Sequence, residues 1–579
     1  MRRRHILYLI LIALAAAGVS RGQTPSPTPT STPNDTQNVK PEDIRGIPAI
    51  APGYASPVRD LPDLGRVGVD MTDQRTLTLR QTIELALDNN RDIEVSRKTE
   101  TIAEFDLRSA RGAFQPRLTG TSYYDRSTAP NVSIFSSNPS TTQGTVVGNA
   151  ALQGYLPSFG TVLSGTFNNQ RVTSNNPIAI LSPQYNSSLG FGLTQPLFRG
   201  RKFDQARRAI EIAKRNISLT DTQFRQKSID IVAGVQRGYW DLTYALRNLQ
   251  VQRDAVRDAR TQLEHNRRLV EQGQLAPIDI VAAETQVANF EQAVYDALNT
   301  VNLAENVLKG LISSNRSDPI WGESLTPVDQ VEIVPPNVTL AEALDAALQN
   351  RPEMEINRTQ RDINAIDQRF YREQKKPQID FIASYTSAGI GGSQNPNFSP
   401  TFPTACTRVP PDPVGCAQLQ ANLRLLTGNP FSGIFTNRYP VFRIGVQFNL
   451  PLFGDKTAKA QLGHSIVEGE RIDTQREQIE MGIQVDVRNA IQAIRTGEAR
   501  LRSAAIAREN TAKQYDSEQR KLDSGQSDVY RVLERQTALA AARSNELRAR
   551  TELNKAIADL QRATGNTLKA NDVEPKLKK

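Results

Sequence analysis

Between Lys202 and Gln272 the chain holds no proline, and its apolar residues recur at helical spacing throughout. At about 1.5 Å of rise per residue this predicts one helix on the order of 100 Å long. A helix of that length needs lateral support. Val232, Val235, Tyr239, Leu242, Leu246 and Leu249 alternate by three and four, the spacing of a coiled-coil seam. Beyond Leu249 the seam keeps Val256, Leu263 and Val270, but Arg253, Arg260 and Arg267 take the alternate places. Contact there is expected to be looser and more polar, which marks that end as the part that moves. Lys456 to Ser524 repeats the proline-free helical pattern.

Elsewhere the period changes from helical to two. Phe442, Ile444, Val446, Phe448 and Leu450 form one apolar face, with Arg443, Gly445, Gln447 and Asn449 between them. Leu189, Phe191, Leu193 and Leu197 do the same against Ser188, Gly190, Gly192 and Thr194. Ile379, Phe381, Ala383 and Tyr385 mark a third strand, and Leu118 to Tyr124 a weaker fourth. Thr145 to Asn168, with a turn at Pro157-Ser-Phe-Gly160, reads as an added external hairpin. A soluble sandwich would have to bury these apolar faces on each other, and four strands make a small core. A barrel in lipid uses the same alternation, apolar outward and polar toward the lumen. Four strands cannot close a barrel, and an open edge in hydrocarbon leaves backbone groups unpaired. The strands must therefore come from several copies; two give about eight, a filled interior, and three give about twelve, which leaves a lumen.

The chain is also duplicated. Leu77-Thr-Leu-Arg-Gln-Thr-Ile-Glu-Leu-Ala-Leu-Asp-Asn89 lies over Val338-Thr-Leu-Ala-Glu-Ala-Leu-Asp-Ala-Ala-Leu-Gln-Asn350, and the match continues through Pro116/Pro377 and Tyr124/Tyr385. Further on, Gln195-Pro-Leu-Phe198 pairs with Leu450-Pro-Leu-Phe453, and Gly273 with Gly525. Thr78 and Thr339 are the expected N-caps of the opening helices, and Pro116 and Pro377 stop the helices that follow. The expected organisation is a first repeat over 75–313, with strands about 117–127 and 185–198 and a long helix at 202–272. A connector at 314–337 leads to a second repeat over 338–566, with strands about 378–387 and 440–453 and a long helix at 456–524. A tail covers 567–579.

Before the repeats, a basic start (Met1-Arg-Arg-Arg-His5), an uncharged apolar run from Ile6 to Val19 and small residues near Gly22 match a secretory signal peptide over 1–22. Residues 23–74 begin with a Pro, Thr and Ser tract and read as an extended linker. Only two cysteines occur, Cys406 and Cys416, ten apart in a Pro-rich loop; in an oxidising compartment they are expected to pair. The formal charge of +9 would suit nucleic acid, but Lys and Arg interleave with Asp and Glu along the helices. Solvated helix faces account for that pattern, and no nucleic-acid partner is expected. The histidines His5, His265 and His464 are scattered, no Cys/His set has metal-ligand spacing, and no P-loop appears. The chain reads as no enzyme, with no cofactor.

The order of these features resembles the TolC family of outer-membrane efflux and secretion ducts. The features that carry the likeness are Ala86-Leu87 and Asn89 against Ala347-Leu348 and Asn350, Pro116 and Pro377, the Gln195-Pro-Leu-Phe-Arg-Gly200 and Leu450-Pro-Leu-Phe-Gly-Asp455 strand ends, and Gly273 and Gly525. The resemblance covers roughly residues 75 to 566. It implies a mainly α fold with a small transmembrane β part. As a homotrimer, this duplicated helix-strand-strand-helix repeat would make a twelve-strand outer-membrane β-barrel continuous with a long periplasmic α-helical barrel. It implies turns of a closed periplasmic tip at Gly273 and Gly525, opened when a periplasmic adaptor and an inner-membrane RND- or ABC-type transporter dock. Lipid-facing residues would be Leu189, Phe191, Leu193, Phe442, Ile444, Val446, Phe448 and Leu450. The family's acidic gate position falls on Asp279 in the first half and on Arg531 in the second, with Glu534 three residues further. Asp279 and Arg531 are expected to pair across neighbouring tips. A periplasmic coiled-coil scaffold without a channel is the alternative; it does not require strands that are apolar on one face.

Overall fold

The sequence duplication is a duplication of architecture. The structure, a computed structural model, describes residues 64–131, 139–329, 336–398, 404–410, 412–451 and 455–574; the expected signal peptide lies outside them. Strand β1 (Asp70–Leu77) is followed by helices α1 (Leu79–Asn89) and α2 (Arg91–Arg111). Strands β2 (Arg117–Pro130), β3 (Ser140–Leu156), β4 (Thr161–Ser174) and β5 (Leu181–Pro196) come next, then the long helix α3 (Gln205–Glu271) and its return helix α4 (Ile278–Ile312). After a short β6 (Glu323–Pro327) the plan recurs as α5 (Leu340–Asn350), α6 (Pro352–Gln374) and β7 (Gln378–Gln394). Two loop helices, α7 (Pro413–Leu426) and α8 (Pro430–Phe435), precede β8 (Tyr439–Asn449). The chain then runs through α9 (Lys456–Asp523), α10 (Val529–Ala563) and a closing turn α11 (Thr567–Ala570).

The opening helices start where the sequence supplies caps. The Thr78 hydroxyl accepts from the Gln81 amide while the Gln81 side chain accepts from the Thr78 amide, and Thr339 and Glu342 do the same in the second repeat. These are two capping boxes at equivalent positions. The long helices α3 and α9 have 67 and 68 residues, about 100 Å each. Each is flanked by two shorter helices, α3 by α2 and α4, α9 by α6 and α10. One repeat therefore presents two helices at any height, and the whole chain four.

Apolar seams hold these pairs. Val232, Val235, Tyr239 and Leu242 are fully buried. In the second repeat one cluster joins Ala343 and Ala347 of α5, Ile483, Val487 and Ile494 of α9, and Leu553, Ile557 and Leu560 of α10. Each such side chain contributes roughly 1.5–3 kcal/mol by leaving water. The repeats meet where α3 lies against α6 and α10, across ion pairs such as Arg208 Nε to Asp367 Oδ1 at 2.7 Å and Lys555 Nζ to Asp241 Oδ1 at 2.8 Å.

Two expectations need correction. The linker expected to run to residue 74 closes instead with β1, and the connector at 314–337 contains β6; the two pair in parallel, Leu77 opposite Pro327. Behind them lies a buried charge cluster. Arg66 Nη1 approaches Glu305 Oε2 at 2.8 Å, and Lys309 Nζ lies 3.7 Å from the same oxygen. Glu305 Oε1 accepts from the Leu325 amide at 2.8 Å, and Lys309 Nζ donates to the Trp321 carbonyl at 3.1 Å. Glu305 and Lys309 are fully buried. Burial holds the Lys309 ammonium below the usual lysine range, against the opposing pull of Glu305.

The second correction is the strand count. Among the described residues the sheet has six strands in the order β2-β3-β4-β5-β7-β8, the four expected per chain and two more. The expected external hairpin is β3 and β4, inserted between β2 and β5.

Candidate functional site: the membrane sheet and the tunnel tip

Side chains alternate across a strand, so the register fixes which residues share a face. Ile379 stands opposite Phe448, Phe381 opposite Val446, Ala383 opposite Ile444 and Tyr385 opposite Phe442. On the other side of β7, Ala383 faces Leu193, Tyr385 faces Phe191 and Ser387 faces Leu189. Leu193 in turn faces Leu163, and Leu118 of β2 faces Leu152 of β3. The expected lipid-facing residues Leu189, Phe191 and Leu193 of β5 and Phe442, Ile444, Val446 and Phe448 of β8 thus lie on one face, and Leu450 follows the end of β8. Phe442 and Phe448 are 72% and 69% exposed, far beyond what a buried core would leave. From Phe442 to Leu450 the apolar run is about 27 Å along the strand, or about 20 Å of height at a ~40° tilt. The opposite face carries Thr194, Ser188 and Asn186 on β5, Ser384 and Thr386 on β7, and Arg443, Gln447 and Asn449 on β8. Sequence reasoning missed Leu152 and Leu163, whose strands put glycine or alanine at most neighbouring places on that face.

The apolar band has an upper and a lower limit. At the upper end α8 lies on the same face. The Ser387 hydroxyl donates to the Ile434 carbonyl at 2.8 Å, and Phe431 stacks on Phe167 with centroids 6.1 Å apart. Gly389 makes this approach possible, because a Cβ there would sit 1.8 Å from the Pro430 carbonyl oxygen. Cys406, in the loop before α7, is joined by a disulfide to Cys416 in the first turn of that helix. At the lower end the β3–β4 turn meets the start of α3: Arg207 Nε donates to the Pro157 carbonyl at 2.9 Å. No helix among the described residues is long and apolar enough to cross a membrane.

The far ends of α3 and α9 turn at Gly273 and Gly525, whose φ values are +74° and +71°. That left-handed conformation suits glycine, and in both turns the next amide reaches back five residues, Gln274 to Leu269 and Gln526 to Lys521 at 2.8 Å each. Leu275 from the first turn packs on Leu522, Val529, Val532 and Leu533 of the second. The arginines of the thinning seam bridge to α4, Arg260 to Glu291 at 2.8 Å and Arg267 to Glu284 at 3.0 Å. Gln262 and Asn266 are buried in this stretch; Gln262 Nε2 donates to Asn266 Oδ1, while Gln262 Oε1 and Asn266 Nδ2 find no hydrogen-bond partner among the described residues. Of the candidate gate residues, Asp279 lies in the first turn of α4 and accepts from the Ala276 amide, just before that helix, at 3.1 Å. Arg531 lies 3.4 Å from Asp528, three residues before it, and Glu534 is exposed on α10. Within one chain no contact joins Asp279 and Arg531 among the described residues; each is engaged close to its own turn.

The sequence model of the outer membrane efflux protein family matches residues 147–314 and 343–566, one match in each repeat. The chain belongs to this family. Among solved structures it is similar to CusC, with a TM-score of 0.59 and 14% identity over 84% of this chain and 92% of that one. It is also similar to the Campylobacter jejuni CmeC outer membrane channel, with a TM-score of 0.58 and 14% identity over 88% and 94%. The Neisseria gonorrhoeae MtrE outer membrane channel in its open state gives 0.54 and 16% over 85% and 89%. At these identities the likeness is one of fold. Among curated proteins none matches the chain. The efflux family is one of outer-membrane channel proteins, and the fold has its architecture, a helical part joined to a sheet.

Proposed function

We propose that the chain is the outer-membrane exit duct of a tripartite efflux or type I secretion system, a passive conduit across periplasm and outer membrane. One observation carries this reading: a sheet apolar on one face, polar on the other, and, among the described residues, hydrogen-bonded on only one side at both β2 and β8. In hydrocarbon those two edges leave backbone groups unpaired at several kcal/mol each, and joining β8 of one copy to β2 of the next removes the cost. Three copies supply twelve helices at any height, which suits a tunnel rather than a packed bundle. A periplasmic adaptor and an inner-membrane RND- or ABC-type transporter open the tip and select the cargo.

The test is extraction and reconstitution of the mature protein. A three-chain assembly that needs detergent and gives stepwise single-channel currents in planar bilayers is expected. A monomer that stays in water without detergent and passes no current returns the chain to the scaffold reading.

A further inference from the structure

We infer that the assembled duct crosses the outer membrane as an eighteen-strand barrel, because the β3–β4 hairpin forms two staves of its wall in each copy. This rests on the duct reading above. The two strands have 17 and 14 residues, more than the ~9–11 needed to cross a bilayer at a steep tilt. They are paired over most of their length, β3 to β2 from Ser140 to Gln153 on one side and β4 to β5 from Val162 to Val172 on the other. They therefore separate strands that the duplicated plan would make neighbours, and among the described residues the second repeat has no counterpart.

The faces of the hairpin agree with those of the sheet. Leu152 and Leu163 fall on the apolar face and are 52% and 42% exposed. The other face carries Asn149 and Gln153 on β3, and Ser164, Thr166, Asn168 and Gln170 on β4. Val147, Ala151, Val162 and Val172 stand among them, so this inner wall mixes polar and small apolar residues and carries no charge. The hairpin also spans the full height, since its turn is seated on the helix junction. Gln195 Nε2 donates to the Phe159 carbonyl at 3.1 Å, and Gly160, with φ +69°, lies so close to Gly200 that a Cβ would stand 2.9 Å from its carbonyl oxygen.

Strand number sets width. At a spacing of about 4.8 Å and a tilt of about 40°, twelve strands give a circumference of roughly 75 Å and eighteen roughly 113 Å. Twelve helices packed at 8–10 Å need about 96–120 Å. Eighteen staves therefore continue the helical tunnel without narrowing it, and the mouth is no second filter. The hairpin is the element that sets how wide a polar cargo the outer membrane passes, and its neutral inner face favours neither sign of charge.

Single cysteines carrying a bimane label test this in the full-length assembly, reconstituted into vesicles of brominated phosphatidylcholine. Labels at Leu152→Cys and Leu163→Cys are expected to be quenched within about twofold of labels at Leu193→Cys and Ile444→Cys. Asn149→Cys and Ser164→Cys should react with a water-soluble maleimide. Quenching at 193 and 444 but not at 152 and 163 overturns the inference and leaves the duct reading standing. Loss of quenching at all four sites removes both. End-on electron-microscopy projections of the unmodified assembly give a second reading: eighteen staves support the inference, and twelve overturn it.

Discussion

Ile444 of β8 and Ala383 of β7 are direct cross-strand partners, and their row continues through Leu193 to Leu163 on the inserted hairpin. An apolar row across four strands has to be covered by something, and in the proposed assembly the cover is lipid. Arginine at Ile444 would then be buried in hydrocarbon, a cost of about 2–4 kcal/mol near the bilayer midplane. Arginine at Gln447, on the opposite face, would meet lumen water. We expect Ile444→Arg to lower the denaturant midpoint of the reconstituted assembly strongly, and Gln447→Arg to shift it by less than about 0.5 kcal/mol. Equal effects from the two substitutions would contradict the assignment of faces.

The duplication, the two long helices and four of the six strands were legible because each rests on a strong local signal. Thr78 and Thr339 cap, Pro116 and Pro377 stop, Gly273 and Gly525 turn, and Phe442 to Leu450 alternate without exception. The hairpin was misplaced because Gly148, Ala150, Gly154 and Gly165 sit where larger apolar residues would have marked the lipid face. Pairing, not pattern, puts it in the sheet. The cluster of Arg66, Glu305 and Lys309 was invisible for another reason. Arg66 comes from a distant part of the chain, and in sequence Glu305 and Lys309 look like one more i,i+4 pair on a solvated helix face.

The two capping boxes differ in one atom that titrates. In α1 the reciprocal acceptor is Gln81; in α5 it is Glu342, whose carboxylate the Thr339 amide and hydroxyl hold below its usual range. A depressed folded-state value means this contribution is fully present above the ordinary glutamate range. It is lost as pH falls through the lowered value. Amide exchange in residues 339–350 should therefore quicken in acid relative to residues 78–89, whose box does not change charge. Parallel behaviour of the two segments from pH 7 down to pH 3 would refute the prediction.

Removing one partner from a buried ion cluster leaves its neighbours uncompensated, typically at about 3–5 kcal/mol. Glu305 is the member that both Arg66 and Lys309 face, and it also accepts from the Leu325 amide. Glu305→Ala is expected to destabilise the assembly by that amount. Lys309→Met should cost no more than about 1 kcal/mol, because Arg66 still pairs with Glu305 and a desolvated ammonium is removed. Thermal unfolding of the two variants in detergent orders them. A Lys309→Met loss as large as that of Glu305→Ala would mean that the Trp321 contact dominates.

The tip is held by a small apolar cluster and a polar seam, and the seam sets how easily it comes apart. Gln262 Oε1 and Asn266 Nδ2 are buried without partners among the described residues, and each unsatisfied group costs about 1–3 kcal/mol. In the proposed duct this lowers the barrier to separating the tip, where Leu275 meets Leu522, Val529 and Leu533. Replacing both residues by leucine removes that cost and adds apolar contact at similar volume. The double variant Gln262→Leu, Asn266→Leu should exchange its amides more slowly, by about tenfold per 1.4 kcal/mol gained, over 255–275 and 515–540. Exchange across the 232–249 seam, already apolar, should stay unchanged. A tip that is stiffer but still assembled should also open less often in planar bilayers. If the variant opens as often as the parent chain while its amides are protected, tip separation does not run through this seam.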